Sequence, residues 1–461
     1  MIEINQQLQA SDLLPRLDVF WEASANAIDA IEGSCPPGSA SPVFTVAGRY
    51  TAKGWTEWTQ GFQYGSALLQ FDASNDTRYL ELGRERTTEV MAPHLTHVGV
   101  HDHGFNNVST YGNLWRLMNE GRIAENASER SFYELALKVT GAVQAARWSA
   151  TLDGGGYIYS FNGPQSLFVD TIRTCRALAL SHQLGHALIG ERDEKHSLLV
   201  RLVQHANATA RYNIWYDEGR DIYDLWGRTA HESVFNTNNG EYRCPSTQQG
   251  YSGFTTWTRG LAWAMVGFPE QLEWLTTRED EELESVGDRA AVEAIFLKAA
   301  RATCDFYLEH TPVCGVPYWD TGAPGLAQMG NYLERPADPF NDFEPVDSSA
   351  AAIGAQGLLR LGNYLLSQGD EAGIRYRQAG LTVAETLLDD LYLSTDPRHE
   401  GLLLHSVYHR PNGWDYIPPK RKVPCGESSM WGDYHMRELV LMLGREAKGQ
   451  PYYTFFGPVE K

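Results

Sequence analysis

Two aspartates stand in company that ordinary surface acids lack. Asp102 lies in His101-Asp102-His103-Gly104-Phe105, and Asp170 follows the apolar run Leu167-Phe168-Val169 and opens a predicted helix. A carboxyl set among apolar neighbours is poorly solvated, which raises its pKa and lets it hold a proton near neutral pH, as a general acid must. Each also has an architectural reading. Asp170 is equally placed to cap the helix that follows it, and Asp102 to fold a tight turn between His101 and Gly104. A metal held by His101 and His103 is the weaker reading because no further ligand spacing follows; neither a metal nor a cofactor is expected. Most of the other acids, of 58 in all, are expected on charged helical faces.

The stretch Gln248-Gln249-Gly250-Tyr251-Ser252-Gly253-Phe254-Thr255-Thr256-Trp257-Thr258-Arg259-Gly260-Leu261-Ala262-Trp263 combines amide, hydroxyl, indole and guanidinium groups without a plain helix or strand pattern. Flat aromatic faces beside a few hydrogen-bonding heads suit a sugar ring, whose C–H face stacks on indole while its hydroxyls and carboxylate need directed partners. Arg259 suits a carboxylate because its planar fork binds two oxygens, although a structural ion pair would use it as well. Tryptophans are more often core than platform, and Trp257, Trp263 and Trp431 are three of thirteen.

The rest of the composition narrows the function class. A formal charge of −20 without clustered Lys and Arg argues against nucleic acid. It does not exclude an anionic small substrate, because a local group in a closed pocket can reverse the field. With 43% hydrophobic and 21% charged residues the chain reads as a soluble globular protein, with no membrane association expected. The start, Met-Ile-Glu-Ile-Asn-Gln-Gln, lacks a basic and an apolar signal region, and the six scattered cysteines form no zinc or redox motif. Reduced thiols in a cytoplasmic protein are the expectation.

These groups need a scaffold, and apolar residues recur with helical spacing over 13–31, 61–71, 78–91, 131–148, 169–184, 195–215, 258–275, 292–308, 348–366, 371–391 and 429–443. Long loops bearing Gly, Asn, Pro and aromatic residues separate them, with short pieces such as Gly156-Tyr157-Ile158-Tyr159 able to pair locally. The class is all-α. About a dozen helices in hairpins suit a closed (α/α)6 barrel whose loops line a funnel, with an open helical solenoid as the alternative. No linker or charge block divides the chain, so residues 1–461 are read as one catalytic domain.

Four segments in order resemble the unsaturated glucuronyl hydrolases, glycoside hydrolase family 88, and less closely the unsaturated rhamnogalacturonyl hydrolases of family 105. They are His101-Asp102-His103-Gly104-Phe105; Val169-Asp170-Thr171; Gln249-Gly250-Tyr251 with Trp257, Arg259-Gly260 and Trp263; and Glu427-Ser428 with Trp431-Gly432-Asp433-Tyr434. Trp58-Thr59-Gln60-Gly61-Phe62, Pro317-Tyr318-Trp319-Asp320 and Asp347-Ser348-Ser349 support them. The resemblance implies an (α/α)6 barrel that takes small unsaturated oligosaccharides left by polysaccharide lyases and adds water across the C4=C5 enol ether of the terminal uronate. It implies that Asp170 protonates C4 and then helps water attack C5, with Asp102 beside it so that the pair titrates as a unit holding one proton. His231 would bind the uronate or polarise water, Gln249 would bond sugar or water, and Arg259 would face the carboxylate or support the wall. Trp257 and Trp263 would flank the ring, with His101 and Phe161 also at the substrate.

Departures from the family bear on the leaving sugar. Gln63 follows Phe62 and Phe161 stands where tryptophans are expected, Arg173 and Thr174 follow Asp170 in place of Met and Asn, and residues 336–340 and 452–461 have no clear counterpart. A monomer or homodimer is expected. The competing readings are a conventional inverting glycosidase acting on saturated uronides, and a sugar-binding protein that lost the reaction.

Overall fold

The computed structural model describes residues 1–52 and 57–457. Long helical segments form two concentric rings. The inner ring is built from Gln60–Ser74, residues 103–119, residues 171–183, Thr258–Leu275, Ser348–Ser367 and Met430–Ala447. The outer ring comprises Leu14–Ser34, Thr77–Val90, Ala127–Ala146, Leu198–Asn213, Arg289–His310 and Gly373–Leu387. Each inner segment packs on the next, and Met430–Ala447 returns to Gln60–Ser74, so the ring closes as an (α/α)6 barrel and the open solenoid is excluded.

Burial separates the rings. Every residue of Thr258–Leu275 is buried, whereas Leu14–Ser34 buries one stripe formed by Leu17, Phe20, Ala27, Ile28 and Ile31. Inner helices approach closely where glycine permits. A Cβ on Gly61 would overlap the Asn106 backbone, and one on Gly357 would overlap that of Met265.

Residues 103–119 form an inner helix absent from the pattern reading. It runs as His103–Asn107, a π turn at Val108–Gly112, and Asn113–Asn119. Asn, Ser, Thr and Gly are poor helix formers because their short polar side chains compete for backbone groups, or because they lack a side chain. Here tertiary partners engage the asparagines. Asn106 accepts the Gly61 N–H at 2.9 Å, Asn107 donates to the His94 carbonyl at 3.1 Å, and Asn113 donates to the Tyr434 hydroxyl at 3.1 Å.

Several acids other than Asp102 and Asp170 are buried in the inner ring. Glu438 pairs with Arg173 at 2.8 Å, Glu273 with Arg360 at 2.6 Å, and Asp72 with Arg116 at 2.8 Å and Arg445 at 2.7 Å; Glu270 also pairs with Arg173. The tail packs against this lattice, with the Tyr452 hydroxyl donating to Glu273 at 2.6 Å and that of Tyr453 to Glu438 at 3.1 Å. Its last residues, 458–461, lie outside the described residues.

Short strands matter more than the all-α reading suggests. Gly156–Ile158 pairs with Trp148–Ala150. A second sheet joins Ser166–Phe168, Glu232–Phe235 and Tyr242–Ser246, all antiparallel, with Glu232–Phe235 in the centre. Asp170 follows its first strand by two residues, His231 directly precedes the central one, and the Val169 N–H donates to the His231 carbonyl at 2.9 Å.

Candidate active site

The inner segments begin at one end of the barrel. Trp58, Asp102, Phe105, Asp170, Trp257 and Arg259 meet there in a cavity of about 300 Å³. The next two helices join through Arg259 to Asp347 at 2.9 Å and the Trp431 indole N–H to Ser349 at 3.0 Å. Convergent helix N-termini carry partial positive charge, so this end favours an anion despite the net charge of the chain.

Asp102 and Asp170 both occupy N-cap positions, and neither side chain makes a capping bond. The capping reading of Asp170 therefore fails, whereas Asp102 does begin a turn, its carbonyl accepting the Phe105 N–H at 2.9 Å. Their carboxylates instead converge on one imidazole nitrogen: His101 Nε2 lies 3.8 Å from Asp102 Oδ1 and 3.6 Å from Asp170 Oδ1. These are ion-pair contacts, too long for hydrogen bonds. Phe161 stacks on His101 with centroids 6.0 Å apart, and Phe168 meets its ring edge-on at 5.5 Å.

Burial shapes the charge states, and it does not act equally. It pushes Asp102 above the usual carboxylate range, Asp170 adds to that, and His101 only partly opposes it. Burial would raise Asp170 too, but His101 outweighs it and Asp170 is held below its ordinary value. This reverses the expectation for Asp170. For His101, burial disfavours the cation, yet Asp102 and then Asp170 lift its pKa above the ordinary 6.5. His101, pushed up, lies between two carboxyls pushed in opposite directions.

The other expected residues divide between the wall and its support. Gln249, Trp257, Trp263 and Phe161 line the cavity. Arg259 also reaches it, but its guanidinium is committed: it donates to Asp347, to Gln249 Oε1 at 3.1 Å and to the Tyr408 carbonyl at 2.7 Å, between the rings of Trp257 and Trp431 at 4.8 and 4.7 Å. By accepting from Arg259, Gln249 is oriented with its amide nitrogen free to donate. His231 lies behind the wall, against Phe168 and Trp257 at 4.3 and 4.6 Å. Its Nδ1 accepts the N–H groups of Gln248 and Gln249 at 3.1 and 3.3 Å, which holds the Gln249 loop, and burial takes its pKa down to about 4. The ring is neutral, with its proton on Nε2. His103 has both nitrogens engaged, by Thr140 at 2.7 Å and the His97 carbonyl at 3.0 Å, which leaves none for a metal.

Two departures from the family pattern fix the helix behind Asp170. Arg173 joins the buried lattice, and Thr174 donates to the His101 carbonyl at 3.0 Å. Gln63 and residues 336–340 are outside the cavity wall, so Phe161 is the departure that touches it.

Trp58, His97, Phe105, Tyr408, His409 and Trp414 also line the wall and were not among the expected site residues. The signal for the last three lies in Tyr408-His409-Arg410-Pro411-Asn412-Gly413-Trp414-Asp415, where an Asn-Gly turn carries aromatics on both sides. Asp415 accepts the backbone N–H groups of Tyr408 and His409 and so folds the loop inward. Burial lowers His409 to about 4, so it presents a neutral ring.

No family model matches the chain. It is 25% identical over 88% of its length to the unsaturated glucuronyl hydrolase of Bacillus sp. GL1, covering 90% of that protein, and 24% identical over 83% to that of Formosa agariphila, covering 79%. The crystal structure of the Bacillus enzyme superimposes with a TM-score of 0.68 at 22% identity, covering 92% of this chain and 96% of that one. Across most of its sequence and fold, the chain is similar to the unsaturated glucuronyl hydrolases.

Proposed function

We propose that this protein removes the 4,5-unsaturated uronic acid from the non-reducing end of oligosaccharides made by polysaccharide lyases, by hydrating the C4=C5 enol ether. The observation that carries the reading is the convergence of Asp102 and Asp170 on His101 in an aromatic-walled cavity at the helix N-termini. The entering uronate carboxylate brings a negative charge beside buried carboxyls. That raises the proton affinity of Asp170, with the His101 imidazolium 3.6 Å away as donor. Asp170 then delivers the proton to C4, the ring oxygen shares the positive charge at C5, and water adds to C5 while its proton passes to Asp170. The hemiketal opens, leaving at C1 a hemiacetal that expels the remaining sugar. Gln249 donates to the sugar or the water, His231 and Arg259 hold Gln249, and Trp58, Trp257 and Trp263 enclose the ring.

An inverting glycosidase places its carboxyls across the anomeric centre. Hydration instead asks for one acid/base carboxyl with a proton source beside it, the parts that Asp170 and His101 supply. We read residues 1–461 as one catalytic unit, and the six unpaired thiols suit a reducing, cytoplasmic compartment. No described helix is long and apolar enough to cross a membrane. The test is loss of the unsaturated uronate's ultraviolet absorbance with disaccharides from glycosaminoglycan, ulvan, gellan and pectin lyases. A folded sample that turns over none of them rules the reading out.

A further inference from the structure

Arg147 ends the outer helix Ala127–Ala146 and is buried, with 6% of its surface exposed. Among the described residues, no carboxylate lies within ion-pair distance of it. Its guanidinium instead donates to three carbonyls on two loops: Nη1 to Val98, Nε to Tyr159 at 3.1 Å and Nη2 to Ser160 at 2.7 Å. It also lies 4.3 Å from the centroid of the Tyr159 ring. The first loop runs on to His101 and Asp102, and the second to Phe161, whose ring stacks on His101. One planar fork thus ties the segment that carries the imidazole to the segment that covers it. A point charge on a flexible stem cannot make the same join.

The carbonyls satisfy the donors of Arg147 but do not cancel its charge, and in a poorly polarisable interior that field reaches the neighbouring groups. Arg147 opposes the rise of the Asp102 pKa and also draws His101 down, against the lift from Asp102 and Asp170. The remaining titratable groups around the pair are His97, which faces Asp102, and His205 and His231, which burial takes down to about 3 and about 4 and so leaves neutral. A guanidinium does not titrate in this range, so its contribution is constant. The consequence is chemical: two carboxyls alone would hold the His101 proton too firmly for transfer, and a fixed cation brings donor and acceptor closer in proton affinity.

We propose that Arg147 is a positioning residue of the hydration proposed above, on which this inference rests: it clamps the Phe161 loop over His101 and sets a permanent positive charge against the Asp102–His101 pair, so that the imidazole can release its proton. NMR of the full-length protein with labelled histidine follows the His101 titration without turnover, its signal identified by loss in His101→Gln. Arg147→Gln, which removes the charge, should move that titration up by roughly half a pH unit or more, and the alkaline limb of kcat/KM should follow it to higher pH. Arg147→Met takes its place if that variant does not fold. Arg147→Lys keeps the charge without the fork: the titration should stay near the parent's while KM rises roughly fivefold, with kcat less affected. An unmoved titration in the neutral variant, a lysine variant shifted as far as the neutral one, or a parental KM in Arg147→Lys would each overturn the proposal. A parent that turns over no unsaturated disaccharide sinks the catalytic reading instead, and the NMR titration still decides whether Arg147 sets the charge at His101.

Discussion

The closed end of the barrel and the Asp102–Asp170 cluster at its mouth bury carboxylates in opposite ways. At the closed end Glu438, Glu273 and Asp72 each meet a guanidinium at hydrogen-bond distance. At the mouth Asp102 and Asp170 have no arginine, decline their capping bonds, and share one histidine at 3.6–3.8 Å. A guanidinium never gives up its proton in this pH range, so it locks a carboxylate in the charged state; an imidazole can hand its proton over. The closed end is built to keep its charges fixed, and the mouth to change them.

Removing groups at each end should separate rate from stability. Asp170→Asn is expected to cut turnover roughly 10²–10⁴-fold while substrate still binds and the melting temperature stays close to the parent's. Absorbance assays and calorimetry check this, and an active variant would break the comparison. Glu438→Gln should do the reverse. It leaves Arg173 facing only Glu270 and removes the partner of Arg176, at a cost of about 3–5 kcal/mol in denaturant unfolding, with little change in kcat of the folded fraction.

The pH profile sharpens the contrast. His101 has a raised pKa, so its contribution to stability is complete below its ordinary 6.5 and is lost as pH rises through the folded value. Asp170 is depressed, so its contribution is present above its ordinary 3.8 and disappears as pH falls through the folded value. Asp102→Asn removes the largest influence holding His101 up. The alkaline limb of kcat/KM should therefore move to lower pH, and an unmoved limb would show that His101 is not the proton source. The smallest expected effect is that of Gln249→Ala. Loss of one donor should raise KM by about 1 kcal/mol in binding, with kcat less affected, in steady-state kinetics.

Most outer and inner helices were legible because their apolar residues recur at 3.6-residue spacing; Thr258–Leu275 has the expected bounds. Residues 103–119 were not, because Asn106, Asn107 and Asn113 read as loop until neighbours bond them. The candidate site was partly legible. Asp102, Asp170, Gln249 and the tryptophans stand out by local company, whereas the commitment of Arg259 to Asp347 spans 88 residues and carries no local mark. Trp414 and His409 were missed because their loop is turned inward by Asp415, a contact that composition does not announce.

Sequence alone determined the helical class, the order of the four site segments and the residue types able to move a proton and hold a sugar, because these follow from spacing and side-chain chemistry. The tertiary structure decided which carboxyl is held ionised, which arginine is already spent, and that His231 acts from behind the wall. The reason is physical: pKa and hydrogen-bond supply depend on burial and on partners brought together from distant parts of the chain.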